Sequence, residues 1–212
     1  MTIFGLSVIA SPSSTTARQL EIATYLLDHG ADPNKPYPNG TIPLEAARYQ
    51  PEMFALLLAR GAKLNKRMEL AKAASREDIF DIQEATFRHQ FKKNASGLQN
   101  RAGVYFLSVT DDKSGKGVDP DASFLKRFVG NRTRVAGASE GKADAGKGVR
   151  DIKTDEEGII FSVREIRWIS ETQVEVSGGY YEAGLSASGN TYTLEKKDGK
   201  WVVLKDVMLW IS

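Results

Sequence analysis

The chain has 212 residues, 41% of them apolar and 26% charged, with a formal net charge of +2. That length accommodates one large or two small domains. No window approaches the ~18 apolar residues of a membrane helix. Nor is there a basic stripe of the kind that grips nucleic acid: residues 1–76 carry nine Lys/Arg against six Asp/Glu, the rest twenty against twenty-one. Cysteine is absent, which excludes disulfides, thiolate nucleophiles and cysteine metal sites and fits a reducing, cytoplasmic setting.

The first ten residues are apolar but lack a basic n-region and a small-residue cleavage site, so they read as a helix rather than a signal peptide. Two stretches then nearly repeat one another, ATYLLDHGADPN at 23–34 and FALLLARGAKLN at 54–65. Each has a leucine-rich run, then Gly-Ala, then Asn shortly after. The first follows Thr2-Ile3-Phe4-Gly5-Leu6 and the second Thr41-Ile42-Pro43-Leu44-Glu45-Ala46-Ala47. Pro43 suits the first turn of a helix, where a missing N–H leaves nothing unbonded. A second helix is predicted over Pro51–Arg60. Met53, Phe54, Leu56, Leu57 and Leu58 cover more than one of its faces, as expected of a helix packed between neighbours. In the earlier copy Ile22, Ala23, Leu26 and Leu27 play the same part. Gly30 and Gly61 supply the left-handed residue that ends a helix. Ser11–Thr16 reads as an insert in the first inter-helix turn, and Met68–Ala74 as the first helix of a degenerate third copy.

These features resemble the ankyrin repeat, whose period is about 33 residues and whose signature runs T-P-L-x-x-A, although Glu45 stands where the signature has His. The resemblance covers residues 1–75. Two copies fall short of the three a solenoid usually needs, so either further repeats precede them or the following domain caps the stack. The resemblance implies binding of a protein partner, with no cofactor, through the turn tips and the concave helix face. Carried over by position, the candidate contacts are Asp32, Asn34, Lys35, Tyr37 and Asn39.

From residue 76 to 212 a different domain is expected, and the fold class overall is α+β. Ser75-x-x-Asp78 reads as a capping box with Asp in place of Glu. The helix it opens should run to about Asn94, with Phe80, Phe87 and Phe91 on one stripe. Val104–Val109 is a β-type run. A short helix is predicted after the start signal Asp119-Pro120, with Phe124, Leu125 and Phe128 inward. Residues 137–158 are poor in apolar side chains and read as a mobile loop. Strands follow at 159–169, 173–182, 190–197 and 200–211. Asp198-Gly199 forms a two-residue hairpin turn and Ser170-Glu171-Thr172 another, so neighbouring strands pair antiparallel. Phe161 and Val163 share one parity while Ile166 and Trp168 share the other; Trp201, Val203, Val207 and Leu209 oppose Met208 and Trp210. Such phase changes predict bulges and a bent sheet. A long helix, a strand, a short helix and a bent antiparallel sheet resemble, in element order, the cystatin-like cone of the nuclear-transport-factor superfamily. The closing stretch GGYYEAGLSASGNTYTLEKKDGKWVVLKDVMLWIS also resembles the end of an uncharacterised bacterial domain family, which brings no function with it.

Chemical motifs are missing. His29 and His89 fall in different domains, and there is no HExxH or paired His at i, i+4 to hold zinc. Asp111-Asp112 and Asp155-Glu156-Glu157 read as loop charges. The pairs Gly115-Lys116, Gly141-Lys142 and Gly146-Lys147 lack the P-loop context, and no nucleophile elbow is present. No catalytic residue, metal ligand or cofactor is therefore assigned. The leading expectation is a protein–protein interaction module, an ankyrin surface with an accessory α+β domain. A rival is a small-molecule binder or enzyme built in a cone cavity from Trp168, Tyr180 and His89, with Asp81 or Glu84 as a concealed acid or base. Gly178-Gly179 marks a bend or a close backbone approach, and in the rival reading Glu182–Gly189 sits at the cavity mouth. A third expectation is an immunity-type protein that neutralises a toxin.

Overall fold

The structure, a computed structural model, describes residues 17–144 and 146–212; the expected segment Thr2–Leu6 and the insert Ser11–Thr16 lie outside them. The chain divides into two units. One takes the residues up to Glu69 together with Asp111–Lys116, and the other takes Leu70–Thr110 and Gly117–Ser212.

The first unit is built from α1 (Ala17–Asp28), α2 (Pro43–Ala46), α3 (Pro51–Ala59) and the start of α4 (Lys66–Ala73). Pro43 and Pro51 open their helices at the position where proline's missing donor is harmless. Ala23, Leu44, Ala47, Met53 and Leu57 are wholly buried and form its core. The two alanines remove bulk where helices meet. α3 is covered less completely than its composition predicts: Phe54 and Leu56 are half-buried and Leu58 is exposed.

The two sequence copies end their helices in the same way. Ala31 N–H donates to Leu26 O at 3.0 Å and Gly30 N–H to Leu27 O at 3.2 Å; Ala62 N–H donates to Leu57 O at 2.9 Å and Gly61 N–H to Leu58 O at 3.1 Å. Both glycines are left-handed, with φ of 87° and 86°. This is the Schellman closure, written twice. An ion pair between Arg60 and Asp28 links the two helix ends.

The second unit packs α5 (Arg76–Lys92) against a sheet. Ser75 caps α5, its Oγ accepting from Asp78 N–H at 3.0 Å. The strands are β1 (Val104–Thr110), β2 (Gly117–Val118), β3 (Arg134–Gly137), β4 (Gly141–Asp144), β5 (Gly148–Asp151), β6 (Glu157–Ser170), β7 (Gln173–Ala183), β8 (Ser186–Lys197) and β9 (Lys200–Ile211). Their main order is β2-β1-β6-β7-β8-β9, with β3 on β1 and the β4–β5 hairpin joined to β6. The sheet is therefore mixed and not purely antiparallel as expected, because β1 runs parallel to both β3 and β6. The meander β6 to β9 is antiparallel throughout. Its ladders slip between Val163 and Glu165 and between Thr193 and Leu194, where the parity of the apolar residues changes.

Two further expectations need correction. The short helix α6 (Ala122–Leu125) is capped by Asp121, whose Oδ1 accepts from Ser123 N–H at 2.7 Å. Asp119 instead accepts from Ser139 N–H at 2.8 Å. Residues 137–158, read as a mobile loop, hold β4 and β5; Val149 is buried with Val104, Phe106 and Ala136 in a small cluster of their own.

The main core lies between α5 and the sheet. Phe87 and Phe91 pack there with Tyr105, Phe124, Phe128 and Phe161, while Phe80 is partly buried at the edge of the cluster. Asp78 pins the start of α5 to the last two strands, accepting from Lys196 Nζ at 2.7 Å and from Trp201 Nε1 at 3.3 Å. The Lys196 ammonium, followed by the Ser75 hydroxyl, holds the Asp78 carboxyl below its ordinary value of 3.8. A carboxyl whose value is lower folded than unfolded adds stability that is complete above the unfolded value and is lost as pH falls through the folded one. The stability gap between wild type and Asp78→Asn is therefore expected to stay level from pH 7 to about 5 and to shrink below about 4, as read by urea unfolding at each pH.

Candidate functional site

The five contact residues predicted in the first unit all fall on the loop between α1 and α2. Asp32 Oδ1 accepts from Asn34 N–H at 2.8 Å, a side-chain turn that stiffens the loop's start. Further along, Tyr37 N–H donates to Thr41 O at 2.8 Å, and Asn39 Oδ1 accepts from Thr41 N–H at 3.0 Å. Tyr37 is half-buried, and burial pushes its phenol up. Asn34 does internal work: its Nδ2 donates to Gly61 O at 3.0 Å and its Oδ1 accepts from Lys63 N–H at 2.8 Å. It ties the loop after α1 to the loop after α3, so its polar atoms are engaged within the unit. Asn65, at the same place in the second copy, is engaged likewise with Met68 N–H and Glu45. Asp32, Lys35 and Asn39 remain exposed. His29 folds back on its own helix, stacking on Tyr25 at 4.0 Å.

The rival set, Trp168, Tyr180 and His89, is not brought together. Trp168 pairs with Val174 and Tyr180 with Phe161. Val174 and Tyr180 lie six residues apart on β7, about 20 Å at ~3.3 Å per residue. Trp168 packs edge-to-face on Trp201 at 5.7 Å, and both Trp168 and Tyr180 belong to the main core. Asp81 and Glu84 are ion-paired with Arg127 at 2.6 and 3.0 Å. Glu182–Gly189, expected at a cavity mouth, instead holds the end of β7 and the start of β8, joined by the two-residue turn Gly184-Leu185.

His89 takes part in a different arrangement. Its Nε2 is hydrogen-bonded to Asp206 Oδ2 at 2.9 Å. Asn190 Nδ2 donates to Asp206 Oδ1 at 2.6 Å, and Ser188 Oγ donates to Asn190 Oδ1 at 2.8 Å. The imidazole meets the Tyr192 ring edge-on at 5.7 Å. Burial pushes the Tyr192 phenol well above its usual range, so it stays protonated. Beside it, Gln90 Nε2 donates to Ser162 O at 3.0 Å, while Gln90 Oε1 is buried without a partner. Ser188, Asn190 and Asp206 line an open depression of about 390 Å³ whose rim carries Lys92 and Lys93.

The chain of side chains holds α5 to β8 and β9 but is not a nucleophile triad. The histidine is bonded to Asp206, and Ser188 donates to an amide oxygen with no base beside it, whereas an activated serine needs that base within reach. Among the described residues no group of three or more His, Asp or Glu side chains is placed to hold a metal ion, and no helix is long and apolar enough to cross a membrane. The sequence signal for this cluster was the polar run Ser188-x-Asn190-x-Tyr192 on one face of β8, a face otherwise apolar at Leu194. Comparison with known proteins finds no match among family models, curated proteins or solved structures.

Proposed function

We propose that this chain acts by binding another protein through the α1–α2 loop, that residues 1–75 are ankyrin-type repeats, and that the second unit is an accessory domain of cystatin-like kind. The observation that carries this reading is the agreement between the two copies in backbone detail. The same Schellman closure follows α1 and α3, and Asn34 staples one closure to the other. A loop held in this way presents Asp32, Lys35 and Asn39 without having to order itself on contact, which keeps the entropic penalty of association low.

The test is site-specific photo-crosslinking of the full chain in the cells that make it, with the probe at Lys35 or Asn39 and a control probe at Glu171, in the β6–β7 turn. A discrete adduct is expected at 35 and 39 and not at 171. The double change Asp32→Ala, Lys35→Glu should weaken capture about tenfold or more. If positions 35 and 39 give the same background as 171, the loop is not the contact surface and the reading is wrong.

A second reading, a small-molecule site in the other unit, is favoured by the Ser188–Asn190–Asp206–His89 chain opening on its depression.

A further inference from the structure

On the second unit another depression, of about 330 Å³ and sharing only Lys92 with the one beside Asp206, opens between the C-terminal half of α5, β1 and the turn before β3. Three of its lining residues are cations, Arg88, Lys92 and Arg132, and none is a carboxylate. In a chain with nearly balanced charge that is a local departure. Arg88 is fixed in place: its Nε donates to Glu84 at 2.7 Å, its guanidinium donates to Arg127 O at 2.9 Å, and it lies over the Phe128 ring at 4.9 Å. Lys92 and Arg132 are different. Neither has an ion-pair partner among the described residues. The backbone N–H groups of Arg132 and Thr133 also lack an acceptor there.

The wall of the depression is aromatic. Phe91 and Tyr105 lie against each other with ring centroids 4.6 Å apart. The Tyr105 ring belongs to the core and the residue lines the depression, and its hydroxyl has no partner among the described residues and is not a buried orphan. Unpaired cations beside unbonded amides favour a dianion, and the aromatic edge with one free hydroxyl favours an apolar body attached to it. The volume is at the small end for ligand sites.

We propose that this depression binds the phosphate monoester of a small molecule that carries a ring, with Lys92 and Arg132 on the phosphoryl oxygens and Tyr105 beside the ring. The site is independent of the α1–α2 loop, so it stands or falls apart from the protein-binding reading.

The experiment is a titration of the full chain, followed by amide chemical shifts, with phenyl phosphate, inorganic phosphate and phenol as separate probes. Phenyl phosphate is expected to shift the amides of residues 88–92 and 131–133 saturably and to bind more tightly than inorganic phosphate or phenol. Arg132→Glu and Lys92→Glu should each weaken it about tenfold or more, and Lys153→Glu, far along the sequence at an exposed turn, should not. Thermal melts confirm that each variant is folded; Arg132→Gln, which removes the charge without reversing it, gives an intermediate loss. Equal affinity for phenol would make this an apolar cleft. Equal affinity for inorganic phosphate would take the aromatic wall out of the site. Shifts scattered over surface lysines, or unchanged in Arg132→Glu, would overturn the proposal outright.

Discussion

Replacing Phe87 with alanine is expected to destabilise the second unit by about 3–5 kcal/mol. Phe87 is completely buried. Its ring lies 6.1 Å from that of Phe124 and 6.5 Å from that of Phe128. Those neighbours stand on α6 and the 3-10 turn Lys126–Phe128 that follows it. They are stiff aromatic side chains on one short stretch that Asp121 caps at its start, so the hole left by truncation cannot be refilled by a simple side-chain shift. Urea unfolding followed by tryptophan fluorescence measures this directly, because Trp168, Trp201 and Trp210 all lie in the same unit. Phe80→Ala, at a half-buried position, should lose distinctly less. A loss below about 1 kcal/mol for Phe87 would mean that α5 does not present this stripe to the sheet.

Gly179→Ala is expected to cost the same unit about 3 kcal/mol or more. A Cβ at Gly179 would stand 1.9 Å from the carbonyl oxygen of Ser188, and one at Gly178 would stand 2.2 Å from that of Ser162. Both obstacles are backbone, one in β8 and the other in β6, so the two glycines are gripped from opposite sides of β7. No rotamer change relieves such a contact; a strand must move, and each strand is held by its ladder. Gly184→Ala, where a Cβ would meet nothing within 4 Å, is the matched control and should be close to neutral. A wild-type midpoint for Gly179→Ala would show that the strands are less closely drawn together there.

Where sequence and structure agree, the signal was local. Ser75 and Asp78 are three residues apart and cap one helix. Asp198-Gly199, both left-handed at φ 49° and 77°, turns β8 into β9 as the dipeptide predicts. The bulge near Arg164 was visible because a buried strand must alternate, and the alternation changes phase between Val163 and Ile166. What was missed depends on partners far along the chain. β1 pairs in parallel with β6, Val104 opposite Gly158, and parallel pairing leaves no turn to read. The β4–β5 hairpin reads as a loop in the sequence because Val149 is its one fully buried apolar side chain. The cluster around Asp206 needs the register of β8 on β9 and the approach of His89 from α5, 117 residues away in sequence. Its members carry no motif; each is an ordinary polar residue until the strands are aligned.

The helix that carries the aromatic stripe comes early in the chain, and the sheet that covers it comes last. From Lys92 to Ile211 is about 120 residues, and at 5–20 residues per second the ribosome needs roughly 6–24 s to make them. For that interval Phe87 and Phe91 have no finished sheet to lie against. The nascent protein thus passes through a period of exposed aromatic surface built into its own element order, in which a chaperone that shields such surface has its opportunity.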